Sequence, residues 1–490
     1  MSYMTLETRG LRTFSTQQPD WSPSSSDDGL EFAFIEAPLD YADPAGPSIS
    51  LAISRLRASD PGRRRGTLLF LNGGPGGDGG LGRLLPARLR RTPLHEIYDL
   101  VGFDPRGTGV STRIEGENSP TTTAFDSRPP DSAFVAITAD MRERDQGCVR
   151  AGGELRRHIT TRNTARDMDL IREVLGEQKI SFVGWAYGTL VGAVYGTLFG
   201  DRLDRSVLDS CVHPDWDWRQ QFKSQADAVR ENVDKWADWT AERNERFALG
   251  TTPALVLESV EKTAAALAAM SGNAAARTSF DGAVGNLSPV RPKWAELGDL
   301  VAELGAAAEA GDTDRVQTLL GGQVKWRPGH AAGELREAVL EAVTCETLWP
   351  TDLEIYYRDM RDLRERCPYG FGVMRAQPWV GTFRTVIPPE PATRVQRAGY
   401  PTGLIVQADG DPLDHHPGGL AMAERLGHHL ITVVDSGDHE IYGLSGNEHV
   451  DGLVNDYLMN GVLPPERVSC PGEPRPDIAP DGTRNVSDGH

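Results

Sequence analysis

Lysine is nearly missing from this chain: Lys179, Lys223, Lys235, Lys262, Lys293 and Lys325 are all there are in 490 residues. That excludes a Lys-rich patch for a membrane surface or heparin. The charge balance runs the other way, with 51 Lys+Arg against 70 Asp+Glu and a formal net charge of −19. A nucleic-acid partner is excluded too, because phosphate backbones are met by a basic face that displaces counterions. No apolar run approaches the roughly 18 residues a membrane-spanning helix needs. The five cysteines (Cys148, Cys211, Cys345, Cys367 and Cys470) are scattered and never form C-x-x-C. A disulfide scaffold and a structural zinc site are therefore not expected. Residues Met1 to Thr16 contain Glu7, Arg9 and Arg12 and no apolar stretch of the kind a secretory signal carries, so the expected location is cytoplasmic. What the sequence does have is apolar material, 39% of residues against 25% charged, enough for a sizeable core.

The order of elements is legible in the pattern. An N-terminal arm over 1–29 ends in a Pro/Ser/Asp-rich stretch. Strand-like runs follow at Leu30–Ala37, Ser48–Leu56, Thr67–Leu71 and Ile97–Phe103. A helix is expected over Thr164–Gly176, with Thr164 as its N-cap. Ile180–Gly184 then reads as a buried strand, Tyr187–Phe199 as a helix and Arg205–Asp209 as a strand. From 215 to 397 the texture becomes Ala/Leu/Glu-rich with helical periodicity, as in Thr252–Met270 and Leu297–Gly311. Strands return at Gly403–Ala408 and Leu430–Val434, with a helix at Gly418–Leu426 between them. Alternating strands and helices indicate an α/β architecture: a mostly parallel sheet covered on both faces. It is split into a first part over 30–214 and a second over 398–470, with a large helical lid (215–397) inserted before the last two strands. The Pro/Gly/Asp-rich end, 471–490, is expected to fray.

The chemistry is carried by the loops. In Val183-Gly184-Trp185-Ala186-Tyr187-Gly188 a buried strand turns through G-x-A-x-G into a helix, the layout of a nucleophile elbow. Its central residue, normally Ser, is Ala186, which has no nucleophilic atom. Upstream, strand Thr67–Leu71 runs into the glycine-rich loop Asn72–Gly80, which suits backbone N–H groups aimed at a developing negative charge. The same loop contains a formal G-x-G-x-x-G at Gly74, Gly76 and Gly79. Pro75 inside the turn and the lack of a promptly starting helix speak against dinucleotide binding. In Asp104–Ser111, Asp104 and Arg106 are expected to satisfy one another in a structural turn. The acid and base must follow the late strands. Asp411 is the preferred acid, ahead of Asp409 and Asp414, and His439 is the base because it follows the last strand; His415 and His416 read as rim residues.

The elbow, the Asn72–Gly80 loop, the Asp104–Ser111 motif, the Gly410-Asp411-Pro412 turn and the Gly437–His439 turn together resemble one branch of the α/β-hydrolases, the tripeptidyl and prolyl aminopeptidase family of serine peptidases. The resemblance covers about Glu31 to Cys470. It implies acyl-enzyme chemistry on an amide bond, with removal of N-terminal residues or short peptides as the leading activity. Intracellular deacylation of a small amide or ester natural product is the alternative. It also implies oxyanion donation from the N–H groups of Tyr187 and of Gly74, with Gly73 as the neighbouring possibility. No metal or organic cofactor is implied; the partner is a peptide or small-molecule amide or ester, with no nucleic acid and no membrane. Where the family carries Ser this chain has Ala186, so it reads as a Ser-to-Ala form that is nearly inactive, either by replacement or as a natural ligand-binding relative. An aminopeptidase also needs carboxylates for the substrate's α-ammonium group, and Glu346 and Glu440 are the candidates. Trp185, Trp216, Trp218 and Trp349 are candidates to line the pocket.

Overall fold

A computed structural model describes residues 4–25, 29–76, 81–271, 274–321 and 331–482. The strands, in chain order, are β1 (Ser22–Pro23), β2 (Leu30–Pro38), β3 (Ser48–Leu56), β4 (Gly66–Leu71), β5 (Tyr98–Phe103), β6 (Glu115–Glu117), β7 (Ile180–Trp185), β8 (Leu203–Asp209), β9 (Leu335–Glu337), β10 (Leu404–Ala408), β11 (His429–Val434) and β12 (Arg467–Pro471). Ten of them form one sheet in the order β1-β2-β3-β5-β4-β7-β8-β10-β11-β12. Pairing is antiparallel from β1 through β3 to β5 and parallel from β5 to β12. The central strands β4, β7 and β10 are buried at every position, as a sheet covered on both faces requires. Their period of two sorts side chains into separate cores. Leu69, Leu71 and Phe182 point to one face, and Leu68, Phe70, Val183 and Trp185 to the other.

The α/β-hydrolase-type sheet and its inserted lid agree with the sequence reading, and the differences are local. A short edge strand, β12, follows β11, so the insertion precedes three strands. Within the N-terminal arm, β1 pairs with β2 through Ser22↔Phe32 and Pro23↔Glu31. The helix expected to begin at Thr164 runs over Thr161–Val174, because Thr160 is extended and its side chain accepts the Asn163 N–H at 3.2 Å. The lid is more than the insertion. β6 and the helix Phe134–Gly152, which precede β7 in the chain, join it: β6 pairs with β9, and Arg144 is salt-bridged to Glu341. The lid also has its own apolar centre, built around Trp236, Trp239, Phe280, Trp294 and Leu297.

The end of the chain does not fray at 471. Residues 472–482 lie across the molecule, with Arg475 paired to Asp435 and seated 4.6 Å over the Trp294 ring. Arg243 donates to the Ile478 carbonyl at 2.7 Å. Residues 483–490 of the expected tail, and Gly77–Gly80 of the glycine loop, lie outside the described residues. No described helix is long and apolar enough to cross a membrane.

Candidate active site

The site lies at the carboxyl ends of β4, β7, β8, β10 and β11, where open α/β sheets present their loops. Ala186 is the residue between β7 and the helix Tyr187–Leu198, with φ 48° and ψ −122°. A non-glycine residue there is strained, at a cost of order 1–3 kcal/mol. The glycines on either side explain how the turn is reached. A Cβ on Gly184 would lie 2.6 Å from the Gly188 carbonyl oxygen, and one on Gly188 would run into the Leu71 carbonyl. The elbow is thus a place where backbones meet, with the buried Ala186 at its tip.

The glycine loop reaches this point. A side chain on Gly73 would begin 3.0 Å from the Ala186 Cβ, and Gly74 holds φ 120° with no room for a side chain. Tyr187 is the first residue of its helix, so its N–H lacks an intrahelical acceptor. The glycine loop and the helix start therefore both lie next to position 186.

Asp411 and His439 meet as well. The His439 Nδ1 lies 3.1 and 3.0 Å from the two Asp411 oxygens. Asp411 is fully buried and its Oδ1 accepts the N–H groups of Leu413 and Asp414, each at 2.9 Å. Burial alone would lower the His439 imidazole; the charge and hydrogen bond of Asp411, with Asp414 and Glu440 nearby, overcome it and raise it to about 10. Asp414, the third-ranked acid, accepts from Gln221 at 2.8 Å, and burial pushes its carboxyl up to about 8. Asp409 holds the Ser436 N–H at 3.1 Å, and His415 faces Glu231, so neither reaches the histidine.

A residue the sequence reading passed over ties these parts together. Asp209, at the end of β8, accepts the Ala186 N–H on its backbone carbonyl at 2.9 Å. Its buried side chain accepts the N–H groups of Ile441 (3.0 Å) and Tyr442 (2.6 Å), just past His439. The Ser210 hydroxyl accepts the Glu440 N–H at 2.9 Å and donates to Asp209. Burial pushes the Asp209 carboxyl up to about 7. A charged residue at the buried end of a strand was the signal available in the sequence.

Other expectations are corrected. Asp104 and Arg106 do not pair with each other. Asp104 takes Arg83 and the Val110 N–H, and Arg106 is buried against Asp167 at 2.7 Å, with the Pro38, Leu39 and His158 carbonyls as further acceptors. Trp185 does not line the pocket. Alternation along β7 turns it into the core beneath the sheet, where it packs on Phe70 and donates to the Tyr442 carbonyl. Trp216 stacks on His213. Trp218 and Trp349 are buried in the aromatic group around Phe222, with Trp218 6.0 Å from the Tyr187 ring. The two candidate ammonium ligands part company. Glu346 is engaged: it accepts from the Thr161 N–H (3.0 Å), the Thr161 hydroxyl (2.6 Å) and Trp218 Nε1 (3.4 Å). Burial raises its carboxyl above the usual range. The Glu440 Oε1 instead lies 2.5 Å from where a Gly73 side chain would begin, beside Ala186.

Comparison with known proteins agrees with this architecture. Residues 66–444 match the family described as alpha/beta hydrolase fold. The chain is 32% identical to a tripeptidyl aminopeptidase of Streptomyces lividans, over 93% of this chain and 88% of that protein. It is 27% identical to the serine protease Hip1 of Mycobacterium tuberculosis, over 93% of this chain and 91% of that protein. It is 28% identical to carboxylesterase B of the same species, over 89% and 86%. Among solved structures, a proline iminopeptidase of Mycobacterium smegmatis aligns with a TM-score of 0.36 at 12% identity, over 84% of this chain and 94% of that one. The elbow, the glycine loop and the Asp411–His439 pair thus sit on a chain that belongs to the α/β-hydrolases, in the serine peptidase family of the tripeptidyl aminopeptidases.

Proposed function

We propose that this is an amide-hydrolase site of the aminopeptidase type in which Ala186 stands at the position of the nucleophile. The single observation that carries the reading is the strained conformation of Ala186 beside the glycine loop, at the same sheet edge as a part-buried His439–Asp411 pair. The names of the tripeptidyl aminopeptidase and protease relatives support it. With a hydroxyl at 186, His439 accepts its proton as the oxygen attacks the amide carbonyl, and the N–H groups of Tyr187 and Gly74 receive the negative charge. Collapse of the adduct breaks the C–N bond, His439 protonates the departing amine, and water then releases the acyl group with the same base. Asp411 holds the imidazole orientation and offsets its charge. As the chain stands, substrate is bound and turned over only at background level, since loss of a triad serine costs on the order of 10⁶ in turnover.

The test is labelling of the Ala186→Ser protein with a fluorophosphonate. Rapid labelling that disappears in Ala186→Ser, His439→Ala supports the reading; a folded Ala186→Ser protein that stays unlabelled overturns it. A second reading, hydrolysis of a small amide or ester without a free amine, is favoured by the carboxylesterase relative. N-acylated substrates cleaved as fast as free amines would select it.

A further inference from the structure

Position 186 is fixed from the core, but the residue after it is reached from the lid. The Tyr187 side chain is buried, and its hydroxyl lies 3.0 Å from that of Thr161, the first residue of the helix Thr161–Val174. Thr161 gives its own proton to Glu346 Oε1 at 2.6 Å, so it accepts the one that Tyr187 offers. Burial, with the charge of Glu346 behind it, pushes the Tyr187 phenol well up and keeps it a donor. Glu346 also takes the Thr161 N–H on Oε2 and Trp218 Nε1 on Oε1. Both of its oxygens are thus engaged by neutral donors, and it has no ion-pair partner among the described residues, an arrangement that costs stability. The segment carrying it is fixed within the lid. Trp349 and Trp379 donate to the Thr344 carbonyl and hydroxyl, each at 2.8 Å, and Thr347 Oγ1 accepts the Trp218 N–H at 3.2 Å.

We infer that Glu346 is a positioning residue that makes the oxyanion donor at Tyr187 depend on the seating of the lid. This rests on the hydrolase reading, in which the Tyr187 N–H receives the developing charge, and adds how that donor is controlled. A donor lowers the barrier fully only if it is already aimed when the charge forms. Tyr187 opens its helix, where the N–H is not restrained by a hydrogen bond of the helix itself. Its direction is then set by what holds the side chain and the helix start, and the chain Glu346–Thr161–Tyr187 supplies that hold from the lid. Lifting the lid would take Glu346 away, free the Thr161 hydroxyl to turn, and leave Tyr187 without a fixed acceptor. The open site is then a poor catalyst, and full reactivity belongs to the closed one.

Fluorophosphonate inactivation of Ala186→Ser tests this when the maximal rate is resolved from the concentration that gives half of it. Tyr187→Phe, Thr161→Val and Glu346→Gln, each placed in Ala186→Ser, should lower the maximal rate about tenfold, short of the roughly 10²–10³ that follows outright loss of an oxyanion donor. The half-rate concentration should change by less than about twofold, because reagent binding does not use the chain. Since the three residues act as one unit, Glu346→Gln combined with Tyr187→Phe should be no slower than the slower single variant. Tyr187→Phe keeps the ring and its packing, so it carries the test where another variant fails to fold. An unchanged maximal rate in Tyr187→Phe, effects that multiply in the double variant, or a loss confined to the half-rate concentration would each overturn the inference. The hydrolase reading fails differently, by absence of labelling in Ala186→Ser itself, and the inference then falls with it.

Discussion

The elbow and the two loops that face it are supported differently. The backbone of Ala186 is held from the core side: the Asp209 carbonyl takes its N–H, Thr189 of the following helix donates its N–H (2.9 Å) and hydroxyl (2.6 Å) to its carbonyl, and Gly184, Gly188 and Leu71 pack around it. The loops carrying Asp411 and His439 are gripped from both sides. From the core come Asp209 and Ser210. From the lid, Asn232 donates to the Gly410 carbonyl at 2.8 Å, Gln221 to Asp414 at 2.8 Å, and buried Arg291 to Asp435 at 3.0 Å. A nucleophile position needs one fixed conformation, and strands can supply it. The loops of Asp411 and His439 are gripped in part by lid residues, so the alignment of the pair depends on how the lid is seated.

The largest test of this contrast is pH. His439 is held as an imidazolium through neutrality, yet it must be neutral to act as a base. Labelling of Ala186→Ser should therefore climb up to about tenfold per pH unit above pH 7 toward a limb near 10. Asp411→Asn should move that limb down toward the ordinary histidine range, and a flat profile would break the picture. The linkage sign follows from the raised value. The charged His439 contributes stability that is present below about pH 6.5 and is lost as pH rises through about 10, readable as a falling Tm. Next is Asp209→Ala, which orphans the Ile441 and Tyr442 N–H groups at about 1–3 kcal/mol each. Urea unfolding should show that loss, and a change under about 0.5 kcal/mol would remove Asp209 from its bridging role. The smallest effect is expected from Arg291→Met, about 1.5–3 kcal/mol for a lost charged hydrogen bond. It should slow labelling of Ala186→Ser in proportion to the loosened histidine loop. A stability loss with an unchanged labelling rate would show that the lid does not tune that loop.

Much of this was legible. Parallel central strands read as unbroken apolar runs, and Gly184 and Gly188 marked the elbow because no side chain fits between the crossing backbones. Asp411 and His439 each follow a late strand, which is how the sequence signals that the two can meet, as they do at 3.0 Å. Side-chain direction was harder to read. Trp185 adjoins the elbow in sequence but faces the opposite side of the sheet, and Asp104 and Arg106, two apart on a turn, point to different partners. Gly410 and Gly437 also carried a second meaning that no turn signal conveys. Lid groups press against both, since a Cβ on Gly410 would lie 2.6 Å from Arg291 and one on Gly437 would strike the Pro289 carbonyl. Such close approaches join residues far apart in sequence. Likewise, β6, the helix Phe134–Gly152 and the strap 472–482 belong with the lid for reasons of packing across the chain, which local periodicity does not record.

The pairing of β8 with β10, Val207 against Leu404, has a consequence for how the molecule is made. A chain emerging from the ribosome completes the elbow early, while the strand that must cover β8 is delayed until the entire lid has been synthesised. Until then the edge of β8 stays open, and pairings so distant in sequence are slow to form and prone to association in the meantime. A fragment ending before β10 is therefore expected to aggregate, and the site is among the last features of the molecule to assemble.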